Sequence, residues 1–158
     1  MMNKIFFDYK IDLFVIAQDN QIDYKEYELY QLKGICNGRI YIFFDYDKKK
    51  RNFMLLETGI LDYILQFDNL FSYLDAGNYE TFTVSGDYYS NNLSYIYSKE
   101  NDTLEIHDVN SDLYYITCKY KDFKKAYEKF RKKTLLELIT FYPEFKNNKY
   151  FIEYFRFD

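Results

Sequence analysis

The sequence predicts an α+β domain, and three observations carry that prediction. Short β-branched and aromatic runs recur along the chain, divided by Asn, Asp, Ser and Gly, as expected of strands and turns. Two longer stretches change to a helical apolar period. A single Pro and five scattered Gly in 158 residues leave no linker that would divide the chain. The expected arrangement is therefore one domain over 1–158: a mostly antiparallel sheet with two amphipathic helices packed on one face. A chain of this length buries roughly 68–70% of its unfolded surface. With 48% hydrophobic and 29% charged residues it has the composition of a globular protein and not of a disordered one.

The elements follow in order. The apolar run Ile5-Phe6-Phe7 ends at Asp8 and is too short for a signal-peptide core. No stretch of about eighteen apolar residues follows it that could span a bilayer, so a cytoplasmic protein is expected. Ile11–Ala17, β-branched and aromatic and closed by Gln18-Asp19-Asn20, reads as a strand. Glu26–Leu32 alternates and reads as a second, and Arg39–Phe44 as a third. Asn37-Gly38 between those two is a hairpin signal, because the tight turn needs positive φ. Asn52–Leu56, beyond the charged tip Asp47–Arg51, makes a fourth strand.

The period then lengthens. Ile60, Ile64, Phe67, Phe71 and Leu74 recur at steps of four and three and stack on one helix face. With Thr58 as N-cap and Gly77 as stop, the helix is expected over about 59–75. Thr81–Ser85, Leu93–Lys99, Thr103–Val109 and Leu113–Tyr120 read as an antiparallel meander. A second helix is expected from Phe123 to Tyr142, on the rhythm Phe123, Tyr127, Phe130, Thr134, Leu138, Phe141, ended by Pro143. Tyr150–Phe157 reads as a closing strand.

Charge is segregated along the chain. Residues 52–118 hold eleven carboxylates against the single base Lys99, whereas residues 119–133 hold eight bases against Asp122 and Glu128. The net charge of −4 therefore conceals a dipolar sequence, and such a field steers a charged partner to one face. Asp62, Asp68, Asp75, Glu80 and Asp87, in the base-free tract, are the candidate partner-binding residues. Asp75 falls in the last turn of its helix, where the dipole disfavours a negative charge by about 0.3–1 kcal/mol. Asp68 and Asp75 share a face off the apolar stripe, so reversing both to Lys is expected to leave the fold intact.

The chemical inventory is thin. His107 is the single histidine, and alternation places it beside Glu105 on a strand face away from Leu104 and Ile106. A base oriented by a carboxylate suits a hydrolase, yet no nucleophile elbow accompanies it. Asp102, Glu105, Asp108 and Asp112 lack the register of a calcium loop, and no glycine-rich phosphate loop is present. No catalytic residue, metal or cofactor is assigned. The basic helix carries Lys121, Lys125 and Lys132 outward, but its aromatics Phe123, Tyr127 and Phe130 belong to the buried stripe and cannot stack on bases, so nucleic acid is not expected as a partner. Cys36 and Cys118, 82 positions apart, fit neither a zinc spacing nor a disulfide framework and are expected to stay reduced.

A small aromatic-rich α+β chain with an acidic helix-and-sheet side, the segment Phe123-Lys124-Lys125-Ala126-Tyr127 and the closing Phe141-Tyr142-Pro143-Glu144-Phe145 resembles the immunity proteins of bacterial toxin–immunity pairs. The resemblance covers the whole chain in style and transfers no family residue to a position here. It implies a cytoplasmic antitoxin, monomeric or a small homo-oligomer, that binds a cognate and basic protein toxin without catalysis and without nucleic acid or membrane. Two other classes stand beside it: a small-molecule binder with an aromatic pocket that includes Tyr95 or Glu105, and a hydrolase using His107.

Overall fold

The protein is described by a computed structural model, which describes residues 4–47, 50–85, 92–108 and 115–156. Over these described residues it is an α+β fold with two antiparallel sheets and five α-helices. The chain runs through β1 (Lys4–Lys10), α1 (Leu13–Asp19), α2 (Leu29–Leu32), β2 (Asn37–Asp47), β3 (Lys50–Gly59) and α3 (Ile60–Asp75). It continues through β4 (Phe82–Val84), β5 (Leu93–Ser98), β6 (Thr103–Asp108), β7 (Tyr115–Lys119) and α4 (Tyr120–Phe141). A 3-10 turn over Pro143–Asn147 and α5 (Lys149–Tyr154) close it. The strands form not one sheet but two, in orders β1-β2-β3 and β4-β5-β6-β7.

Both long helices form where the period of 3.6 predicts them. The apolar stripe of α3, from Ile60 through Ile64, Phe67 and Phe71 to Leu74, is buried throughout. Gly59, not Thr58, occupies its N-cap, and Gly77 follows the end with φ +90°, the left-handed conformation that glycine adopts without steric cost. Helix α4 begins at Tyr120, earlier than the sequence period indicates, and stops before Pro143. The helices join the two sheets through one aromatic core. Phe67 of α3 meets Phe7 of β1 edge-on, with ring centroids 5.8 Å apart, and Tyr95 of β5 at 6.1 Å. Phe123 of α4 stacks on Phe44 of β2 at 6.3 Å. Such pairs add about 0.5–1.5 kcal/mol each beyond the area they bury.

Three expected strands are helices. Ile11–Ala17 is replaced by α1, which follows β1 after two residues. Coiling buries the Asp19 carboxylate, which accepts from the Cys36 amide at 3.0 Å and the Tyr142 hydroxyl at 2.6 Å. Glu26–Leu32 contains the single turn α2, started by the Gln31 side chain accepting the Glu28 amide at 3.0 Å, half of a capping box. Tyr150–Phe157 contains α5, capped by Asn148, whose side-chain oxygen accepts from the amides of Tyr150 and Phe151 at 2.9 and 3.0 Å; position 157 lies outside the described residues.

The Asn37-Gly38 signal marks a different need from a turn. Both residues start β2, and a Cβ on Gly38 would lie 2.2 Å from the Lys10 carbonyl oxygen. Glycine is required there for close approach of β1. The left-handed turn comes one residue earlier, at Cys36, with φ 60°. Strand β1 itself is an element the sequence reading did not mark. The meander is present as β4–β7, and Val109 and Leu113 at its expected ends lie outside the described residues.

Candidate partner-binding surfaces

The acidic residues of α3 are placed by its polar face, and each meets a base. Asp68 lies opposite α4, where the Arg131 Nε donates to both carboxylate oxygens at 3.0 and 3.1 Å. The Tyr127 hydroxyl donates to the same carboxylate at 2.7 Å. Two turns further along α3, Asp75 accepts from the Tyr120 hydroxyl at 2.8 Å and pairs with Lys124. Seven residues separate Asp68 from Asp75 and seven separate Lys124 from Arg131, so the two antiparallel helices match charge at a common spacing of about 10.5 Å. Asp62 accepts from the Gln66 amide at 3.0 Å and lies 3.7 Å from Lys33 Nζ.

Glu80 is exposed and accepts from the Tyr73 hydroxyl at 3.4 Å. Asp87 lies outside the described residues. The candidate residues therefore do not form one acidic patch; three of them border cations contributed by other elements. Burial pushes the Asp75 carboxyl up, but the bonds from Lys124 and Tyr120 outweigh it and hold its pKa below the usual carboxylate value. Burial, then the Asp68 charge, pushes the Tyr127 hydroxyl far above its ordinary value.

With Lys124 and Arg131 turned toward α3, the cations left on the outer side of α4 are Lys121, Lys125, Lys129, Lys132 and Lys133, all exposed, with Asp122 and Glu128 among them. The aromatics of this helix, Phe123, Tyr127 and Phe130, are buried as expected.

A surface that sequence reasoning missed lies on β1 and β2. Their inner residues Phe7, Ile40, Ile42 and Phe44 are buried, whereas Phe6 is 54% exposed and Phe43 44% exposed. The register pairs these two directly, with ring centroids 6.4 Å apart, and Tyr41 stacks on Phe43 at 6.3 Å. Asp8, Lys10, Arg39 and Glu57 follow on the same face toward one end of the strands, with Arg39 Nε 3.7 Å from Glu57. The signal was present in the alternation of Phe6, Asp8 and Lys10 and of Arg39, Tyr41 and Phe43. It is hidden in the sequence because the run Ile5-Phe6-Phe7 is continuous apolar and does not by itself show the period of two.

His107 and Glu105 sit two apart on β6, both half-buried, while Leu104 and Ile106 are buried on the opposite face. The register sets His107 beside Ser94 and Tyr115. Tyr95 is fully buried against Phe67 and Phe123 and belongs to the core, and its hydroxyl has no hydrogen-bond partner among the described residues. A groove of about 520 Å³ runs past Ile139, Phe145, Phe151 and Ile152 to Lys146 and Arg156. Phe145 and Phe151 are almost fully covered in its floor. Among the described residues no His, Cys, Asp or Glu cluster is arranged to hold a metal ion, and no helix is long and apolar enough to cross a membrane. Comparison with protein-family models, with curated proteins and with solved structures finds no match to this chain.

Proposed function

We propose that the protein is a non-catalytic binding protein that acts as an immunity protein, neutralising a cognate bacterial toxin in the cytoplasm by protein–protein contact. The observation that supports it is the outer face of β1 and β2. Phe6 and Phe43 form an exposed aromatic pair with the half-buried Tyr41 stacked beside it, and Asp8, Lys10, Arg39 and Glu57 border one end of the patch. Exposed aromatic rings bordered by charged side chains have the composition of a protein interface, whose aromatic anchors lose their water on docking. The face lies on a sheet whose other side is locked into the core, so its geometry is set before binding and little ordering entropy is lost on docking.

The acidic residues take a smaller part in this reading. Asp62, Asp68 and Asp75 are opposed by Lys33, Arg131 and Lys124, and Glu80 is the exposed carboxylate left to steer a basic partner. The test is co-expression with the product of the adjoining upstream gene, scored by protection of growth and by binding of the two purified proteins. Protection by the parent chain, lost in the Phe6→Thr/Phe43→Thr variant, whose directly opposed residues keep a favourable cross-strand pair and a nearly unchanged melting temperature, is the expected result. A parent chain that neither binds nor protects overturns the reading.

A further inference from the structure

We infer that the outer ridge of α4 is a docking strip for the phosphate backbone of duplex nucleic acid, recognised without regard to sequence. Lys121, Lys125, Lys129 and Lys133 recur at steps of four along α4 (Tyr120–Phe141), and all four are exposed. At 1.5 Å rise per residue the steps place them about 6 Å apart along a strip of about 18 Å. Lys132 is exposed beside the last of them. The strip thus carries five lysines against the two carboxylates Asp122 and Glu128.

The division of labour within the helix makes this charge available. Lys124 and Arg131 face Asp75 and Asp68 and are already engaged. The same pairs offset two carboxylates of the neighbouring helix that would otherwise repel a polyanion. A regular row of cations suits a regular row of phosphates, whose counterions it releases on binding.

The character of the strip selects the partner further. Phe123, Tyr127 and Phe130 are buried, so over 121–133 no aromatic ring is presented to stack on an unpaired base, the principal contact of single-strand binders. Contacts confined to phosphates position a protein on a duplex and carry no base information. An anionic lipid surface also attracts lysines, but interfacial helices set a row of large apolar side chains beside them, whereas Phe123, Tyr127 and Phe130 are buried and Leu136, a turn beyond Lys132, is exposed by itself next to the strip.

The experiment is fluorescence anisotropy with two unrelated 20-base-pair duplexes between 25 and 200 mM salt, using the full chain. Four or five engaged lysines give a slope of log K against log salt of about −4, and about 250-fold weaker binding at 200 mM than at 50 mM. Both duplexes should bind equally. Lys125→Gln or Lys129→Gln should each flatten the slope by about one. The quadruple Gln variant at 121, 125, 129 and 133 should not bind, whereas the quadruple Arg variant should. Lys124→Gln should leave the slope unchanged. No binding at 25 mM salt, a slope indifferent to the ridge lysines, or equal affinity for poly-glutamate or phosphatidylserine vesicles overturns the inference. None of these outcomes depends on a toxin being bound.

Discussion

Arg131 holds Asp68 through its Nε, 3.0 Å from one carboxylate oxygen and 3.1 Å from the other, and the Tyr127 hydroxyl donates to the same carboxylate at 2.7 Å. The acidic and basic halves of the sequence therefore meet at the seam between α3 and α4 instead of facing outward as separate poles. Lys124 and Asp75 repeat the arrangement two turns away. A charge pattern that reads along the chain as a dipole is in part an instruction for helix pairing.

The seam gives an ordered stability prediction. Asp68→Ala leaves Arg131, whose side chain is 19% exposed, facing α3 without its counter-ion, and removes one of the two acceptors of the Tyr127 hydroxyl, which keeps the Ile64 carbonyl at 2.9 Å. The expected loss is about 1–3 kcal/mol. Asp75 is 46% exposed with its partner Lys124 at 32%, so Asp75→Ala should cost less than about 1 kcal/mol. Lys at both positions opposes Arg131 and Lys124 with like charge and should destabilise, against the expectation from sequence that the fold would be untouched. Urea unfolding checks the order, and an Asp75→Ala loss equal to that of Asp68→Ala contradicts it.

Phe67 supplies the second prediction. Its ring sits between Phe7 of one sheet and Tyr95 of the other and is fully buried. Phe67→Ala should therefore cost about 3–5 kcal/mol in denaturant unfolding, with the midpoint lowered and the m-value kept. A loss below about 1 kcal/mol would show that the face of α3 is not core.

The two long helices were legible because their apolar residues recur over four or five turns, long enough for the period to be unambiguous. The strands of the meander were legible for a related reason: turn residues bracket each alternating run. Ile11–Ala17 and Tyr150–Phe157 are too short for that test. Their helical state is decided by distant partners, Tyr142 for Asp19 and the buried Phe145 ring, 4.4 Å from Phe151. The pairing of Asp68 with Arg131 across 63 positions left no local mark, so the carboxylates read as a free surface. Phe6 and Phe43 could have been found only by recognising β1 and its register.

Alkali should unfold the protein. Burial pushes the hydroxyls of Tyr95, Tyr127 and Tyr142 above their ordinary pKa of 10.0. A hydrogen bond to Asp102 raises that of Tyr97 to about 12. These groups hold their protons more tightly folded than unfolded. The stability they contribute is complete below about pH 10 and is lost as pH rises through the folded values. The melting temperature should fall from about pH 10 upward, and tyrosinate absorbance should appear together with loss of ellipticity. Ionisation of all 20 tyrosines near pH 10 with the fold intact would contradict this.

The docking face separates two kinds of contact that respond differently to salt. Phe43 and Phe6 are already about half exposed, so Asp at either position should change stability by less than about 0.5 kcal/mol, the usual range for surface substitutions. If their rings fill pockets on a toxin, each replacement should weaken binding by about 2 kcal/mol or more, through faster dissociation and with little dependence on ionic strength. Glu80→Lys should instead slow association at low salt and leave dissociation nearly unchanged, because a rim charge acts on the encounter and its field is screened beyond about 8 Å at physiological salt. Surface plasmon resonance at two salt concentrations distinguishes the two effects, and growth protection should follow dissociation. Normal protection by the Phe6→Thr/Phe43→Thr variant, with protection lost in Glu80→Lys, would move the docking face from the sheet to the acidic side, because an aromatic centre that contributes nothing to dissociation is not the centre of the interface.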